Sequence, residues 1–206
     1  MVNSGCQLGV PTLVLASASP RRADLLQAAG IAFDICVPDV DESARDGESP
    51  EAYVRRVAEA KARAVIAAGE RRAILAADTV VVIGGRALGK PRDPADARRM
   101  LESLSGRTHV VLTAICVIPA EDERSGAARG VACQVASTAV EFKALTPGEI
   151  EWYVATGEPM GKAGAYAIQG RASRFVSRIE GSYSNVVGLP VALAYRMCNE
   201  AGILVS

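Results

Sequence analysis

The chain has 206 residues, half of them hydrophobic, and its 23 Lys and Arg balance 23 Asp and Glu to a formal net charge of zero. That length can bury a sizeable core as one domain or as two lobes sharing a cleft. The charge balance supplies no global positive field for nucleic acid or an anionic membrane, so any phosphate binding must be local.

No run reaches the ~18 apolar residues of a membrane span, and residues 1–11 lack the charged start and apolar middle of a signal peptide. The expectation is a cytoplasmic protein with a short tail over 1–11 and a single domain over 12–206. Cys6, Cys36, Cys116, Cys133 and Cys198 are scattered singly with no CxxC, which signals neither a zinc site nor a disulfide framework. Small buried thiols are expected. The single histidine, His109, alternates with apolar residues and reads as structural, leaving little room for His-based metal sites or a Ser-His triad.

Leu13-Val14-Leu15-Ala16 reads as a buried strand, Ser17-Ala18-Ser19 as a small-residue turn, and Pro20 as the start of a helix with Ser19 as N-cap. The first helical turn, where the dipole favours Asp or Glu, instead holds Arg21 and Arg22. Two cations beside exposed backbone N–H groups make electrostatic sense once an anion completes the arrangement. Leu25, Leu26 and Ala29 give that helix an apolar side, Gly30 ends it, and residues 33–37 resume strand character. Residues 38–49 form an acidic loop in which Glu42 is a metal-ligand candidate, although such loops are more often simply solvated.

Ser49-Pro50-Glu51 opens a long helix to about Ala68, stopped by Gly69. Its apolar stripe reads Val54, Val57, Lys61, Ala64, Val65, Ala68. Lys61 either snorkels outward or, between the small Ala60 and Ala62, reaches a buried anion. Residues 73–83 form the most apolar stretch, a central strand with Asp78 in its middle. A buried carboxylate must be paired, hydrogen-bonded or bound to metal.

Gly84-Gly85 signals a hairpin. The run through Lys90 fits GxxxxGK but is no P-loop, since Pro91 stands where a Mg²⁺-holding Ser or Thr belongs. Lys90 remains a phosphate-facing candidate. Asp93-Pro94 caps a helix to Leu104, and residues 107–118 and 131–142 are two strand-like runs forming an antiparallel hairpin. A symmetric hairpin sets Cys116 roughly opposite Cys133, near enough to bridge if oxidised, whereas a reducing cytoplasm keeps both as thiols. Thr146, Pro147 and Glu149 form a capping box ahead of a helix whose Trp152 is expected in the core. Residues 159–170 are a glycine-rich loop carrying Lys162, Tyr166 and Gln169, able to approach a ligand through its backbone. A strand over 175–180, a polar turn over 181–188 and a helix over 190–201 complete the chain.

The segments ASASPRR, VDES, AEAKARAV, AADTVVV, LGKPRD, LSGRTHVVLTA, KAGAYAIQG and GSYSNVVGLP follow one another from residue 16 to residue 190. Together they resemble the Maf family of nucleoside triphosphate pyrophosphatases. The resemblance implies an α/β fold with an elongated, mixed, twisted sheet flanked by helices and two lobes around a central cleft, related to that of the ITPases. It further implies a homodimer that splits nucleoside triphosphates into monophosphate and pyrophosphate with Mg or Mn, as part of nucleotide-pool house-cleaning. Carried over residue by residue, Asp78, Glu42 and Lys61 are the catalytic set, with Asp78 as general base and Glu42 and Asp78 as metal ligands. Ser17, Ser19, Arg21, Arg22 and Lys90 bind phosphate, and Lys162 is a loop candidate. Arg21, Thr79 and Gln169 match the branch acting on dTTP and UTP. The alternatives are a non-catalytic nucleotide-binding cell-division regulator, and a pyrophosphatase for 7-methyl-GTP or ITP.

Overall fold

The computed structural model describes residues 12–122 and 129–204; the expected tail over 1–11 lies outside the described residues, as does Cys6. Seven strands form one mixed sheet. They are β1 (Leu13–Ala16), β2 (Asp34–Cys36), β3 (Ala73–Ile83), β4 (Arg86–Leu88), β5 (Thr108–Ile118), β6 (Ala132–Phe142) and β7 (Val176–Glu180). The strand order is β2-β1-β3-β5-β6-β7, with β4 also on β3. Pairs β1–β2 and β1–β3 are parallel, and all the others are antiparallel. The helices are α1 (Pro20–Ala28), α2 (Pro50–Ala67), α3 (Pro94–Leu104), α4 (Pro147–Ala155), α5 (Tyr183–Val187) and α6 (Val191–Glu200).

β3 organises the sheet. One of its edges pairs with β5 over its length, from Ile74↔Ile118 to Val82↔Val110. Along the other edge, β1 stops at the pair Ala16↔Ala76 and β4 begins at Val81↔Leu88, so residues 77–80 have no strand beside them. Side chains alternate along a strand, so Asp78 and Thr79 point to opposite faces. The gap in the edge lets both open into one cleft.

The core divides at the same place. On one face, Leu13, Leu15, Leu75 and Ala77 pack with Leu26 of α1 and with Ala194 and Met197 of α6. On the other, Val14, Ala16, Ile74 and Ala76 pack under Val54, Ala58 and Val65 of α2. Beyond Thr79, Val81 and Ile83 join a separate cluster with Leu101, Leu104, Phe142, Tyr153 and Phe175.

Three expectations are corrected. Trp152 is not in the core: Ile150 and Tyr153 take the inner side of α4, while Trp152 is 40% exposed with the Arg174 guanidinium 4.2 Å from its ring centre. The polar turn over 181–188 contains α5, whose N-cap Ser182 accepts the Asn185 N–H. Two of the five cysteines are not thiols, because Cys116 and Cys133 face each other across β5 and β6 at a Cα separation of 4.2 Å and are joined as a disulfide. Direct cross-strand opposition is the distance at which a bridge closes without moving the backbone.

Candidate active site

The capping chemistry of the helices isolates the first feature of the site. Helices α2, α3 and α4 each begin with Pro behind an N-cap whose side chain accepts a backbone N–H, and each carries an acidic residue in its first turn. Helix α1 also begins with Pro, but Ser19 makes no side-chain cap bond and no acidic residue follows. Ser19 instead donates its N–H to Ser17 Oγ at 3.2 Å. The N-terminal end of α1 therefore opens into the cleft without an internal counter-charge, beside Arg21 and Arg22.

The two arginines differ. Arg22 is buried and each of its three guanidinium nitrogens donates one hydrogen bond: Nε to the Gly188 carbonyl at 2.9 Å, Nη1 to Ser17 Oγ at 3.1 Å and Nη2 to Thr79 Oγ1 at 3.1 Å, which leaves two N–H groups for a ligand. Burial lowers its pKa, which the Asp78 carboxylate opposes. Arg21 is half-buried, lowered by burial alone, and makes no hydrogen bond or ion pair among the described residues. Thr79 passes the network inward, its hydroxyl 2.9 Å from that of Thr113, which bonds to the Asn185 carbonyl of α5.

Lys61 faces the gap in β3 from α2. Its Nζ lies 2.8 Å from Asp78 Oδ1 and 2.9 Å from Glu42 Oε1. Both Lys61 and Asp78 are buried, at 7% and 6% exposure, so each supplies the counter-charge the other needs. Glu42 reaches them from the loop between β2 and α2. Burial would raise its pKa, but the hydrogen bond and charge of Lys61, with Lys90 and Arg22 further off, hold it below the usual carboxylate value. Tyr53, eight residues before Lys61 and hence on the same side of α2, donates its hydroxyl to the Glu42 carbonyl at 3.0 Å. Burial, with Asp78 and Glu42 nearby, pushes the Tyr53 phenol up to about 12.

Ser17, Ser19, Arg21, Arg22, Glu42, Tyr53, Lys61, Asp78, Thr79 and Gly188 line a single cleft of about 460 Å³, with Thr113 and Asn185 behind it. Its opposite wall holds Lys90, from the loop after β4, and the glycine-rich segment with Lys162, Tyr166 and Gln169. Lys162 Nζ donates to the Glu158 carbonyl at 2.6 Å, and burial followed by the charge of Arg21 lowers its pKa. The Gln169 amide makes no hydrogen bond among the described residues and is exposed to the cleft. Every site residue predicted from sequence, Ser17, Ser19, Arg21, Arg22, Glu42, Lys61, Asp78, Thr79, Lys90, Lys162 and Gln169, lines this cleft. Sequence reasoning missed Tyr53, legible only as a residue two helical turns from Lys61, and Gly188, whose role comes from its backbone carbonyl. His109 stays structural: it is buried behind Tyr166, with Nε2 2.9 Å from the Tyr166 hydroxyl.

Five cations and two carboxylates line one cleft at the end of a parallel pair of strands in an α/β fold. The chain belongs to the Maf-like protein family, whose model matches residues 12–201. It is 54% identical over 193 residues to the dTTP/UTP pyrophosphatase of Anaeromyxobacter sp. (strain Fw109-5), covering 92% of this chain and 89% of that one. It is 51% identical over 179 residues to the dTTP/UTP pyrophosphatase of Geobacter sulfurreducens, covering 87% and 91%. Among solved structures it is similar to the Staphylococcus aureus Ham1 protein, at 14% identity and a TM-score of 0.48 over 91% of this chain and 98% of that one.

Proposed function

We propose that this protein is a nucleoside triphosphate pyrophosphatase that hydrolyses dTTP and UTP to the monophosphate and pyrophosphate, a house-cleaning enzyme of nucleotide pools. The observation that carries the reading is the cleft itself, which Arg21, Arg22, Lys61, Lys90 and Lys162 line together with the Asp78 and Glu42 carboxylates. The curated relatives named dTTP/UTP pyrophosphatase, about half identical over nearly the whole chain, supply the substrates.

Asp78 and Glu42 fit a divalent ion such as Mg or Mn. Their hard oxygens are already directed at one positive point, Lys61 Nζ. Among the described residues no three His, Cys, Asp or Glu come together to hold an ion alone, which suits Mg²⁺, bound through one or two carboxylates plus substrate phosphates. When bound, the ion supplies neutralisation of phosphate charge.

The protein's own groups do the rest. Arg22, fixed by three hydrogen bonds, presents a fork that does not have to be organised when substrate arrives. Arg21, Lys90 and the Ser17–Ser19 turn hold the outer phosphates. Lys61 is the counter-charge that holds both carboxylates in place. Asp78 orients and deprotonates a water whose oxygen attacks the α-phosphorus: the bond from that phosphorus to the bridging oxygen breaks, pyrophosphate leaves, and the proton passes to the carboxylate.

Gln169 reads the base. Uracil and thymine present an O4 acceptor beside an N3–H donor, which one amide satisfies bidentately, while cytosine reverses both. Arg21 and Thr79 complete the selectivity set. The reading also takes residues 1–11 as a tail and 12–206 as one domain, and places the enzyme in the cytoplasm with its substrates as a homodimer, the last on the family resemblance alone.

Incubation with Mg²⁺ and a triphosphate panel tests this. UTP and dTTP should give monophosphate and pyrophosphate, with no turnover when the metal is chelated. Diphosphate plus orthophosphate as products would contradict the reaction, and kcat/KM for ITP or 7-methyl-GTP at or above that for UTP would contradict the substrate.

A further inference from the structure

Gln169 lies in a segment with no long regular structure, and its amide meets a base at a set distance and angle only if the backbone that carries it is fixed. The fixing comes from one side chain. Glu158 Oε1 accepts the Arg171 N–H at 2.9 Å and Oε2 accepts it at 3.2 Å. The same Oε1 accepts the Tyr153 hydroxyl at 2.9 Å, and that hydroxyl accepts the Ala167 N–H at 3.2 Å. The backbone two residues before Gln169 and the backbone two residues after it are thus tied to one carboxylate. Between them, Gly170 donates its N–H to the Ala167 carbonyl at 3.0 Å, closing a tight turn around Gln169.

Gly170 has a negative φ of −103°, a value any residue adopts, so its backbone does not call for glycine. Its surroundings do: a Cβ there would lie 2.4 Å from Glu158 Oε1. The glycine makes room for the carboxylate. From its main chain, Glu158 also accepts Lys162 Nζ, so one residue anchors the Lys162 side chain and the backbone that carries Gln169 without lining the cleft itself.

We infer that Glu158 is a positioning residue for base selectivity, holding the turn from Ala167 to Arg171 so that the Gln169 amide meets uracil or thymine in one orientation. The inference rests on the proposed reading of Gln169 as the base contact. Without the carboxylate, the Arg171 N–H and the Tyr153 hydroxyl lose their common acceptor, the turn relaxes, and the displaced Gln169 amide no longer meets uracil squarely, so the preference over cytosine falls.

The test is kcat/KM for UTP and CTP, with Kd for UMP and CMP by calorimetry, in the wild type, Glu158→Ala, Glu158→Gln, Tyr153→Phe, Gln169→Ala and the double variant Glu158→Ala/Gln169→Ala. Glu158→Ala should lower the UTP to CTP ratio about tenfold, the size set by one misaligned hydrogen-bond pair. Glu158→Gln should restore most of it, because the amide oxygen still accepts both bonds. The double variant should be no less selective than Gln169→Ala alone. If Glu158→Ala does not fold, Tyr153→Phe carries the test, since it removes only the link to Ala167 and should lower the ratio by about threefold. A parallel loss for both nucleotides, at an unchanged ratio, would overturn the inference and leave Glu158 as a structural tie. A selective wild type whose ratio is intact in Glu158→Ala sinks this inference alone, whereas a wild type with no uracil preference sinks the reading of Gln169 and this inference with it.

Discussion

The floor and the rim of the cleft are built from the same residue types under different constraints. On the floor, Arg22, Lys61, Asp78 and Thr79 are each held by protein partners, and the first three are buried. On the rim, Arg21, Lys90 and Gln169 have no hydrogen bond or ion pair among the described residues. Arg21 and Arg22, one residue apart, fall on opposite sides of this division. A desolvated charge is tolerable only when its counter-charges and acceptors are built in, and building them in removes the reorganisation that would otherwise accompany the reaction. The rim groups stay hydrated until a ligand displaces their water. Floor substitutions should therefore act on kcat, and rim substitutions on KM or on selectivity.

The sharpest way to break this comparison is Asp78→Asn. We expect a fall in kcat of about a thousandfold or more, with the chain still folded. Because Glu42 stays 2.9 Å from Lys61 Nζ, the ammonium keeps a counter-charge, and the loss of stability should be only about 1 to 2 kcal/mol in thermal melts. Activity near the wild-type level would remove Asp78 from the chemistry. Next in size is a paired exchange. Arg22→Lys loses a fork that satisfies three acceptors and should lower kcat/KM about a hundredfold, whereas Arg21→Lys keeps a mobile charge and should change it by less than about tenfold, mainly in KM. Equal losses would erase the distinction between floor and rim.

The smallest expected effect lies behind the floor. Burial lowers the pKa of His109 to about 4, below its ordinary 6.5. Between those values the unfolded chain binds the extra proton, so the stability is complete above pH 6.5 and is lost as pH falls towards 4. Glu48, Glu70 and Glu149, lowered to about 2 by their hydrogen bonds to Arg56, Arg72 and Lys143, lose their contributions only below about 4.5. The unfolding free energy, from denaturant titrations between pH 6.5 and 4.5, should fall in the wild type, by about 1 to 2 kcal/mol at pH 5, and should be nearly flat in His109→Gln. A slope retained in the variant assigns the titration elsewhere.

What could be read from the sequence follows the range of the forces involved. Strands β1 and β3, the caps at Ser49, Asp93 and Thr146, and the hairpin that opposes Cys116 to Cys133 are written in neighbouring residues. The residues that looked misplaced locally, the arginines at the start of α1, the lysine on the apolar side of α2 and the carboxylate inside β3, are those the fold gathers into one cleft. Local misfit thus picked out residues that share the cleft. The partners were not readable: the Gly188 carbonyl that fixes Arg22 lies 166 positions away and carries no side-chain signature. Trp152 was misjudged because a short helix with Ile150 and Tyr153 as its inner pair leaves the intervening position outside. Two thiols and a disulfide have the same sequence, and only the register of β5 against β6 decides the geometry between them.

The ladder between β3 and β5 runs unbroken beneath the cleft, and β3 contains neither glycine nor proline from Ala73 to Ile83. Closing two bodies on a ligand like jaws requires a few residues that absorb a large change of φ and ψ. Along β3, from Ala73 to Ile83, the paired strand offers none. The molecule is built like a vice whose bed is a single casting, so fitting a substrate falls to the attachments: the loop carrying Glu42, the segment carrying Gln169 and the long cations on the rim. Amide hydrogen exchange should show the bed slow and unaltered by nucleotide, with protection gained only in those two loops.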